Sequence, residues 1–249
     1  MLSSPWRKRR RARLALAALL LFVTSAGTAQ TVADHLAACK NEAGDLKARI
    51  EACTRAVEGA RDNEELRVEA LLQRGVLQEL WGDQDAAIAD YSEIIKLDTT
   101  SAIAHFNRGN VRDRLGQQDL AIQDYSEAIR LDPSDPDIFN NRGQVYDSRG
   151  EFDLAIADYS EAIRLDATSS RPFYNRGLSY FSKGEFTAAL ADFDQAIGLQ
   201  PNDADALVAR AATHEELGDA TAALADYRRA LEVTPEHAEA KEGVERLGK

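Results

Sequence analysis

The chain has 249 residues with 42 acidic and 30 basic side chains, and its formal net charge is −12 at pH 7. Six of the basic residues and none of the acidic ones lie within residues 1–29, so the remainder is more acidic still. Such a surface repels phosphate, which disfavours nucleic acid and anionic lipid headgroups as partners. The simplest interpretation of the charge is solubility.

Residues 1–29 have the pattern of a secretory signal peptide. A basic segment from Arg7 to Arg13 precedes an apolar segment from Leu14 to Val23, and small residues through Ala29 offer a cleavage site. The apolar run is shorter than the roughly 20 residues that a membrane span requires. Because the pattern is similar to bacterial export signals, we expect a periplasmic protein with no membrane span after cleavage. The alternatives are an uncleaved anchor and a lipoprotein modified at Cys39.

Residues 30–67 predict a helical hairpin. A short helix reaches Lys40, the chain turns at residues 41–44, and Asp45 begins a second helix that ends at Glu58. The polar run of residues 59–66 predicts a connector to the next helix. This segment is expected to cap the array that follows.

The two cysteines of the chain, Cys39 and Cys53, lie on the two helices of this hairpin. In an exported protein an isolated pair is most often a disulfide, and we expect that bond here. The alternatives are two free thiols and a metal site. Zinc wants four ligands and His35 is the one further candidate nearby, so no metal site is predicted.

Residues 68–237 contain one sequence pattern that repeats five times at a constant period, in the units 68–101, 102–135, 136–169, 170–203 and 204–237. A small residue, a second glycine, an alanine and an aromatic residue recur at fixed places in each unit. The aromatic residues are Tyr91, Tyr125, Tyr159, Phe193 and Tyr227. The small residues are Gly75, Gly109, Gly143, Gly177 and Ala211. A strict period of this length is typical of stacked helix pairs.

With Pro133, Pro201 and Pro235 near the ends of their units, this pattern resembles the tetratricopeptide repeat family. The position that is usually tryptophan in this family is occupied by other residues here, which are Leu71, His105, Phe139, Phe173 and Leu207. The resemblance implies an all-α, right-handed superhelical solenoid of antiparallel helix pairs, with five repeats. Residues 30–67 would be its N-terminal half-repeat cap and residues 238–249 a C-terminal capping helix. Such a fold does not fix a function.

Two charged columns also recur in every unit. The arginines are Arg74, Arg108, Arg142, Arg176 and Arg210, and the aspartates are Asp90, Asp124, Asp158, Asp192 and Asp226. We expect them to pair within or between repeats as an internal ion-pair ladder, with about 0–1 kcal/mol for each pair as an exposed ion pair. The alternative is that the arginines line an anion site.

The residue before each arginine resembles the asparagine ladder of peptide-binding members of the family, whose amides bond a ligand backbone in the concave groove. The predicted groove residues are Gln73, Phe106, Asn107, Asn110, Asn141, Gln144, Arg171, Tyr174, Asn175 and Phe181. Asn140 is expected on the same face. An acidic floor that favours a neutral or basic segment is expected from Glu79, Asp113, Asp147 and Glu215 together with Glu69, Asp137 and Asp205. The alternative is that the amides bond the scaffold or water.

The family's carboxylate clamp is incomplete here, because Phe106 and Asn175 occupy two of its basic positions. Capture of a free C-terminus is therefore not expected. No nucleophile has a matching base, no glycine loop could cradle phosphate, and the four histidines are far apart, so we expect neither an enzyme nor a cofactor.

The sequence thus predicts an exported, non-catalytic module that binds a protein or an extended peptide in its concave groove. The first alternative is a structural adaptor of an envelope complex that uses its convex face or its ends. The second is a small-molecule binder or enzyme. The identity of the partner and the oligomeric state do not follow from the sequence.

Overall fold

A computed structural model describes residues 31–248 of the chain. The predicted signal peptide, residues 1–29, lies outside the described residues. The predicted all-α class is confirmed: between residues 31 and 248 the chain forms thirteen helices and no strand. In this part of the chain no helix combines the length and the apolar character needed to cross a membrane.

The helices are short and of similar length. They are α1 (residues 31–40), α2 (Leu46–Gly59), α3 (Glu64–Trp81), α4 (Gln84–Leu97), α5 (Ala102–Arg114), α6 (Gln118–Leu131), α7 (Pro136–Ser148), α8 (Phe152–Leu165), α9 (Ser170–Ser182), α10 (Phe186–Leu199), α11 (Ala204–Glu216), α12 (Ala220–Val233) and α13 (Ala238–Leu247). They fall into two compact units that divide within α5, the first ending at Val111 and the second beginning at Arg112.

In the first unit, α2 packs against α3 and α3 against α4. The structure contains the predicted Cys39–Cys53 disulfide, which joins α1 to α2 with the two Cα atoms 4.9 Å apart. Both cysteines are fully buried in a small apolar core that includes Leu36 and Leu77. The disulfide therefore holds the hairpin where its own core is small.

The connector predicted at residues 59–66 is shorter than expected. Helix α2 runs through Gly59 and α3 begins at Glu64. The side chain of Asn63 caps α3 by accepting a hydrogen bond from the backbone N–H of Leu66. The prediction was wrong because it equated polarity with a loop, whereas acidic residues such as Glu64 and Glu65 stabilise the first turn of a helix.

In the second unit, successive helices pack as antiparallel pairs: α7 with α8, α9 with α10, and α11 with α12. Each pair also packs against the helix that follows it, and the first helices of neighbouring pairs touch, α7 with α9 and α9 with α11. Each first helix ends before a glycine with positive φ, such as Gly150 at 74° and Gly184 at 76°. Glycine adopts this conformation without the cost that a side chain would add.

The recurrent aromatic residue packs on the early glycine of its own repeat. A Cβ added to Gly143 would lie 2.8 Å from the ring of Tyr159, and one added to Gly177 would lie 2.7 Å from Phe193. The missing glycine side chain makes room for a ring within the helix pair.

Helix α13 continues the phase of the five repeats. Its Gly243 lies one repeat period after Ala209, in the column of the amide residues, and packs against the ring of Tyr227. Ala240, which is fully buried, lies one period after the buried Ala206. The helix therefore occupies the place of a first helix in a sixth unit.

Candidate functional site

The first helices of the last two repeats and α13 surround a cleft of about 420 Å³ in the second unit. Its apolar lining comes from Tyr174, Leu178, Phe181, Phe193, Val208, Ala209, Ala212 and Tyr227. Its polar lining is Asp205, Glu239, Glu242 and Arg246. The volume falls within the range of about 300–1,000 Å³ that is usual for ligand sites. This cleft is the candidate functional site.

Two of the predicted groove residues, Tyr174 and Phe181, lie in this cleft. Phe193 forms its base, with the ring centroids of Tyr174 and Phe193 6.0 Å apart. Phe181 makes an edge contact with Phe186 at 5.4 Å between centroids. The aromatic rings are therefore held in place by packing, while Tyr174 and Phe181 remain partly exposed.

The apolar base of the cleft arises because repeat 4 departs from the other repeats. Repeats 1 and 5 carry a tyrosine whose hydroxyl donates to an acid twelve residues earlier, Tyr91 to Glu79 at 2.5 Å and Tyr227 to Glu215 at 2.7 Å. In repeat 4 both positions are phenylalanine. The cleft therefore lacks the hydroxyl–carboxylate pair that fills the same place in those repeats.

The expectation of an acidic floor was wrong for Glu79, Asp147 and Glu215, whose carboxylates are bound by neighbouring side chains. Glu79 and Glu215 accept hydrogen bonds from tyrosines, and Asp147 accepts one from the hydroxyl of Ser179 at 2.5 Å. Burial raises the pKa of Asp113, the remaining acid of this row. Glu79, Asp147 and Glu215 are therefore engaged by side chains of the scaffold itself.

Asp205, which was expected in the acidic floor, lines the rim of the cleft together with Glu239 and Glu242. Asp205 is 75% exposed and lies 3.1 Å from the Nε2 atom of His237, and both Glu239 and Glu242 are exposed on α13. Burial raises the pKa of Tyr174, and the carboxylates of Asp205 and Glu239 raise it further. The rim therefore has a negative potential at the mouth of an apolar cleft.

Arg246 is the cation that lines the cleft, and it is already bound. Its guanidinium donates to both carboxylate oxygens of Glu215, at 2.6 and 3.1 Å. This pairing is the main reason why the pKa of Glu215 is lowered. Burial, followed by the hydrogen bond to Glu215, raises the pKa of Tyr227 to about 12. The arginine therefore closes one end of the cleft as part of a network.

The amide residues of the second unit are engaged with one another. Asn140 is 1% exposed and was wrongly placed on an open face. It accepts a hydrogen bond from Asn175 at 3.0 Å and donates one to Asn141 at 3.2 Å. Gln144 is exposed one turn further along α7. The alternative that amides bond the scaffold therefore describes Asn175 in this structure.

The remaining predicted groove residues lie elsewhere. Arg171 is exposed in the first turn of α9 and does not line the cleft. Gln73, Phe106, Asn107 and Asn110 belong to the first unit, where all four are half-buried on α3 and α5. The structure thus brings two of the ten predicted residues together in one cavity.

The charged columns form a buried lattice. Arg142, Arg176 and Arg210 each bind both carboxylate oxygens of the aspartate sixteen residues later, at 2.7–2.8 Å. The predicted pairing is confirmed, but Asp192 is only 4% exposed, so the low energy that we expected for exposed pairs does not apply. Because these arginines are engaged on both sides, they do not present an open anion site.

The same arginines also reach back to the preceding repeat. Arg142 donates to Ser126 at 3.0 Å, Arg176 to Ser160 at 2.8 Å, and Arg210 to the carboxylate of Asp194 at 2.6 Å. In the first unit, Arg108 binds Ser92 and Arg74 binds Thr54. The three serines were missed, although each lies sixteen residues before its arginine, and this constant offset could have revealed them.

Glu239, Glu242 and Arg246 were also missed as site residues. They lie one repeat period after Asp205, Val208 and Ala212, so the period itself contained the signal. We had assigned α13 to capping alone. Its polar side in fact continues the first-helix face into the cleft.

Three family models described as TPR repeat or tetratricopeptide repeat match the chain, at residues 68–100, at residues 109–148 and 146–184, and at residues 174–243. The chain belongs to the tetratricopeptide repeat family. Proteins of this family are generally non-catalytic scaffolds that bind other proteins, which supports a protein-interaction module here. No curated protein matches this sequence.

Solved structures of the same fold include YrrB, described as a TPR protein with an unusual peptide-binding site. It is 23% identical over 79% of this chain and 99% of its own, with a TM-score of 0.66. A tetratricopeptide repeat protein from Parabacteroides merdae is 18% identical over 88% of this chain and 93% of its own, with a TM-score of 0.69. MamA is 24% identical over 66% of this chain and 96% of its own, with a TM-score of 0.63. At these identities the similarity shows the all-α repeat-solenoid fold alone.

Proposed function

We propose that this chain is an exported, non-catalytic module that binds an extended segment of a partner protein on the first-helix face of its second unit. That face consists of the exposed sides of α7, α9, α11 and α13. The observation that carries the proposal is the cleft, because its lining residues from three successive first helices share the repeat phase. A ligand that runs across successive repeats would meet equivalent positions in turn.

Several features support an extended peptide as the ligand. The cleft can take a side chain, while Gln144 and Arg171 are exposed on the same face for polar contacts on either side. A carboxamide offers both a donor and an acceptor to a peptide backbone. YrrB, with the same fold, is described as having a peptide-binding site. The half-buried Gln73, Phe106, Asn107 and Asn110 would form a corresponding face of the first unit, considered by itself.

Export to the periplasm rests on two observations. Residues 1–29 have the basic and apolar segments of a signal peptide. The Cys39–Cys53 disulfide is suited to an oxidising compartment. Intact-mass measurement of the protein secreted by a bacterial host would check both, with cleavage after Ala29 and two fewer hydrogens than the dithiol as the expected result.

The binding proposal is tested by selecting a random-peptide display library against the protein and comparing two variants. Ala212→Leu narrows the cleft by introducing leucine, the residue that stands one repeat period earlier at position 178. Val76→Leu makes a similar change in that column of the first unit. Enriched peptides should bind Ala212→Leu at least about tenfold more weakly and Val76→Leu normally.

Peptides that bind Ala212→Leu as well as the parent protein would place recognition elsewhere on the molecule. That outcome would favour the structural adaptor, which uses other surfaces. If selection enriches no peptide at all, the extended-segment proposal fails.

A further inference from the structure

The cleft combines an apolar base with a rim that carries unmatched negative charge. Of its four charged lining residues, three are acidic, and the single cation, Arg246, is held by Glu215. Among residues 31–248, Glu239 and Glu242 have no ion-pair partner. This arrangement distinguishes among the side chains that a bound segment could place here.

An acidic or phosphorylated ligand does not fit this rim. Its charge would face Asp205, Glu239 and Glu242, while the guanidinium that could receive it already donates to both oxygens of Glu215. The cost of displacing that pair would add to the repulsion, since like charges brought together at an interface disfavour the wrong partner. A second copy of this acidic chain meets the same repulsion at its surface.

The base of the cleft equally disfavours a polar side chain. Phe193 is fully buried, and Phe181 stands where four other repeats carry an acid. A hydroxyl or amide placed against these rings would lose its hydrogen bonds to water without replacement. An apolar side chain would gain from burial and from edge or offset contacts with the aromatic rings.

We infer that the cleft selects a partner segment in which a phenylalanine-sized apolar side chain is flanked by lysine or arginine residues. This inference rests on the proposed function and names the chemistry of its ligand. The apolar side chain enters between Tyr174, Leu178 and Phe181. The flanking cations remain in solvent beside the rim carboxylates, where they add selectivity and speed of encounter.

Three fluorescent heptapeptides, blocked at both ends, test the inference by polarisation. The first has a central phenylalanine with two lysines on each side and serine at both ends. The second replaces the lysines with glutamates, and the third replaces the phenylalanine with alanine. The first should bind at least about tenfold more tightly than either of the others. Raising the salt from about 0.05 to 0.5 M should narrow its advantage over the second peptide.

A charge variant tests the rim. Glu239→Gln combined with Glu242→Gln should remove most of the preference for the lysine peptide over the glutamate peptide. Glu245→Gln is the matched control, because Glu245 is exposed on the same helix and does not line the cleft. All three side chains are exposed, so these changes leave folding intact, as circular dichroism would show.

A second variant tests the apolar base. Phe181→Glu combined with Phe193→Tyr gives repeat 4 the hydroxyl–carboxylate pair that repeats 1 and 5 contain. This chain already accommodates that pair in the same fold, so the double variant should fold. It should lose the preference for the phenylalanine peptide over the alanine peptide.

Equal binding of the first and second peptides, or of the first and third, would overturn the inference. Failure of all three to bind at about 1 mM, the limit of weak recognition, would do the same. The display experiment separates this failure from that of the proposed function. Cleft-dependent peptides without basic residues would leave the function standing, whereas the absence of any cleft-dependent peptide would remove both.

Discussion

Equivalent positions of the repeat lie at the boundary between repeats 3 and 4 and at the boundary between repeats 4 and 5. Hydrogen bonds close the first boundary, whereas the second contains the cleft. At the first, Asn140, Asn141 and Asn175 satisfy one another through hydrogen bonds. At the second, the positions one repeat period later hold Tyr174 and Asn175 of α9 and Ala209 of α11, and a cleft remains, which Val208 also lines. One scaffold can therefore close the boundary between two repeats with hydrogen bonds or leave it open with small apolar residues.

Beneath this difference the two boundaries share their arginine lattice. Arg176 connects Ser160 to Asp192 at the first boundary, and Arg210 connects Asp194 to Asp226 at the second. The lattice therefore holds successive repeats together whatever lies on the exposed side of the first helices. It leaves the face above free to vary in sequence.

The largest expected loss of stability comes from removing one arginine of this lattice. Arg176→Met should lower the free energy of unfolding by about 3 kcal/mol or more, because it leaves Asp192 buried without its cation. Arg210→Met should have a similar effect through Asp226. Urea denaturation followed by circular dichroism measures both.

Arg164→Met is the control for that pair of variants, since Arg164 pairs with Glu161 on the exposed side of α8. It should leave the midpoint of unfolding almost unchanged. If the buried and exposed arginines gave equal effects, the lattice would not be what holds the repeats together.

An intermediate loss of stability is expected from removing the hydrogen bonds that close the boundary between repeats 3 and 4. Asn175→Ala removes the donor to the buried Asn140 and should cost about 1–2 kcal/mol. Adding Asn140→Leu should recover part of that loss, because no buried amide would then lack a partner. Thermal unfolding of the single and double variants measures the coupling.

Gln144→Ala serves as the control, because Gln144 is exposed on the same face. Its unfolding temperature should match that of the parent protein. A single Asn175→Ala variant as stable as this control would mean that the amide network contributes nothing to the closed boundary.

The period predicted the fold because it records packing. The second helices end at equivalent positions of the repeat, since a strict period fixes both register and helix length; these ends are Leu97, Leu131, Leu165, Leu199 and Val233. The isolated cysteine pair, together with the predicted export signal, also led to the correct disulfide. These features depend on local spacing, which one sequence displays in full.

The site was harder to predict because it depends on exceptions to the period. The cleft has an apolar base because Phe181 and Phe193 replace an acid and a tyrosine together, a paired change that each position considered alone does not show. Burial was also misjudged for Asn140 and for the aspartate column. The sequence specifies which residues share a column but not how far a side chain reaches into the neighbouring helix.

The smallest expected change in stability concerns the end of the cleft, where Arg246 binds Glu215. Because this hydrogen bond lowers the pKa of Glu215 below its usual 4.5, the stabilisation is fully present above that value. It is lost as the pH falls through the lower pKa of the folded state, since the unfolded chain takes up the proton first. Glu215→Gln should therefore make stability depend less steeply on pH in the acid range, by about 1 kcal/mol or less over the transition. Unfolding by urea at several values between pH 3 and pH 7 would show the difference, with Glu245→Gln as the control on the adjacent helix. A variant with the parent's acid slope would show that Arg246 does not hold the cleft end in solution, and the rim would then have a free cation for an acidic ligand.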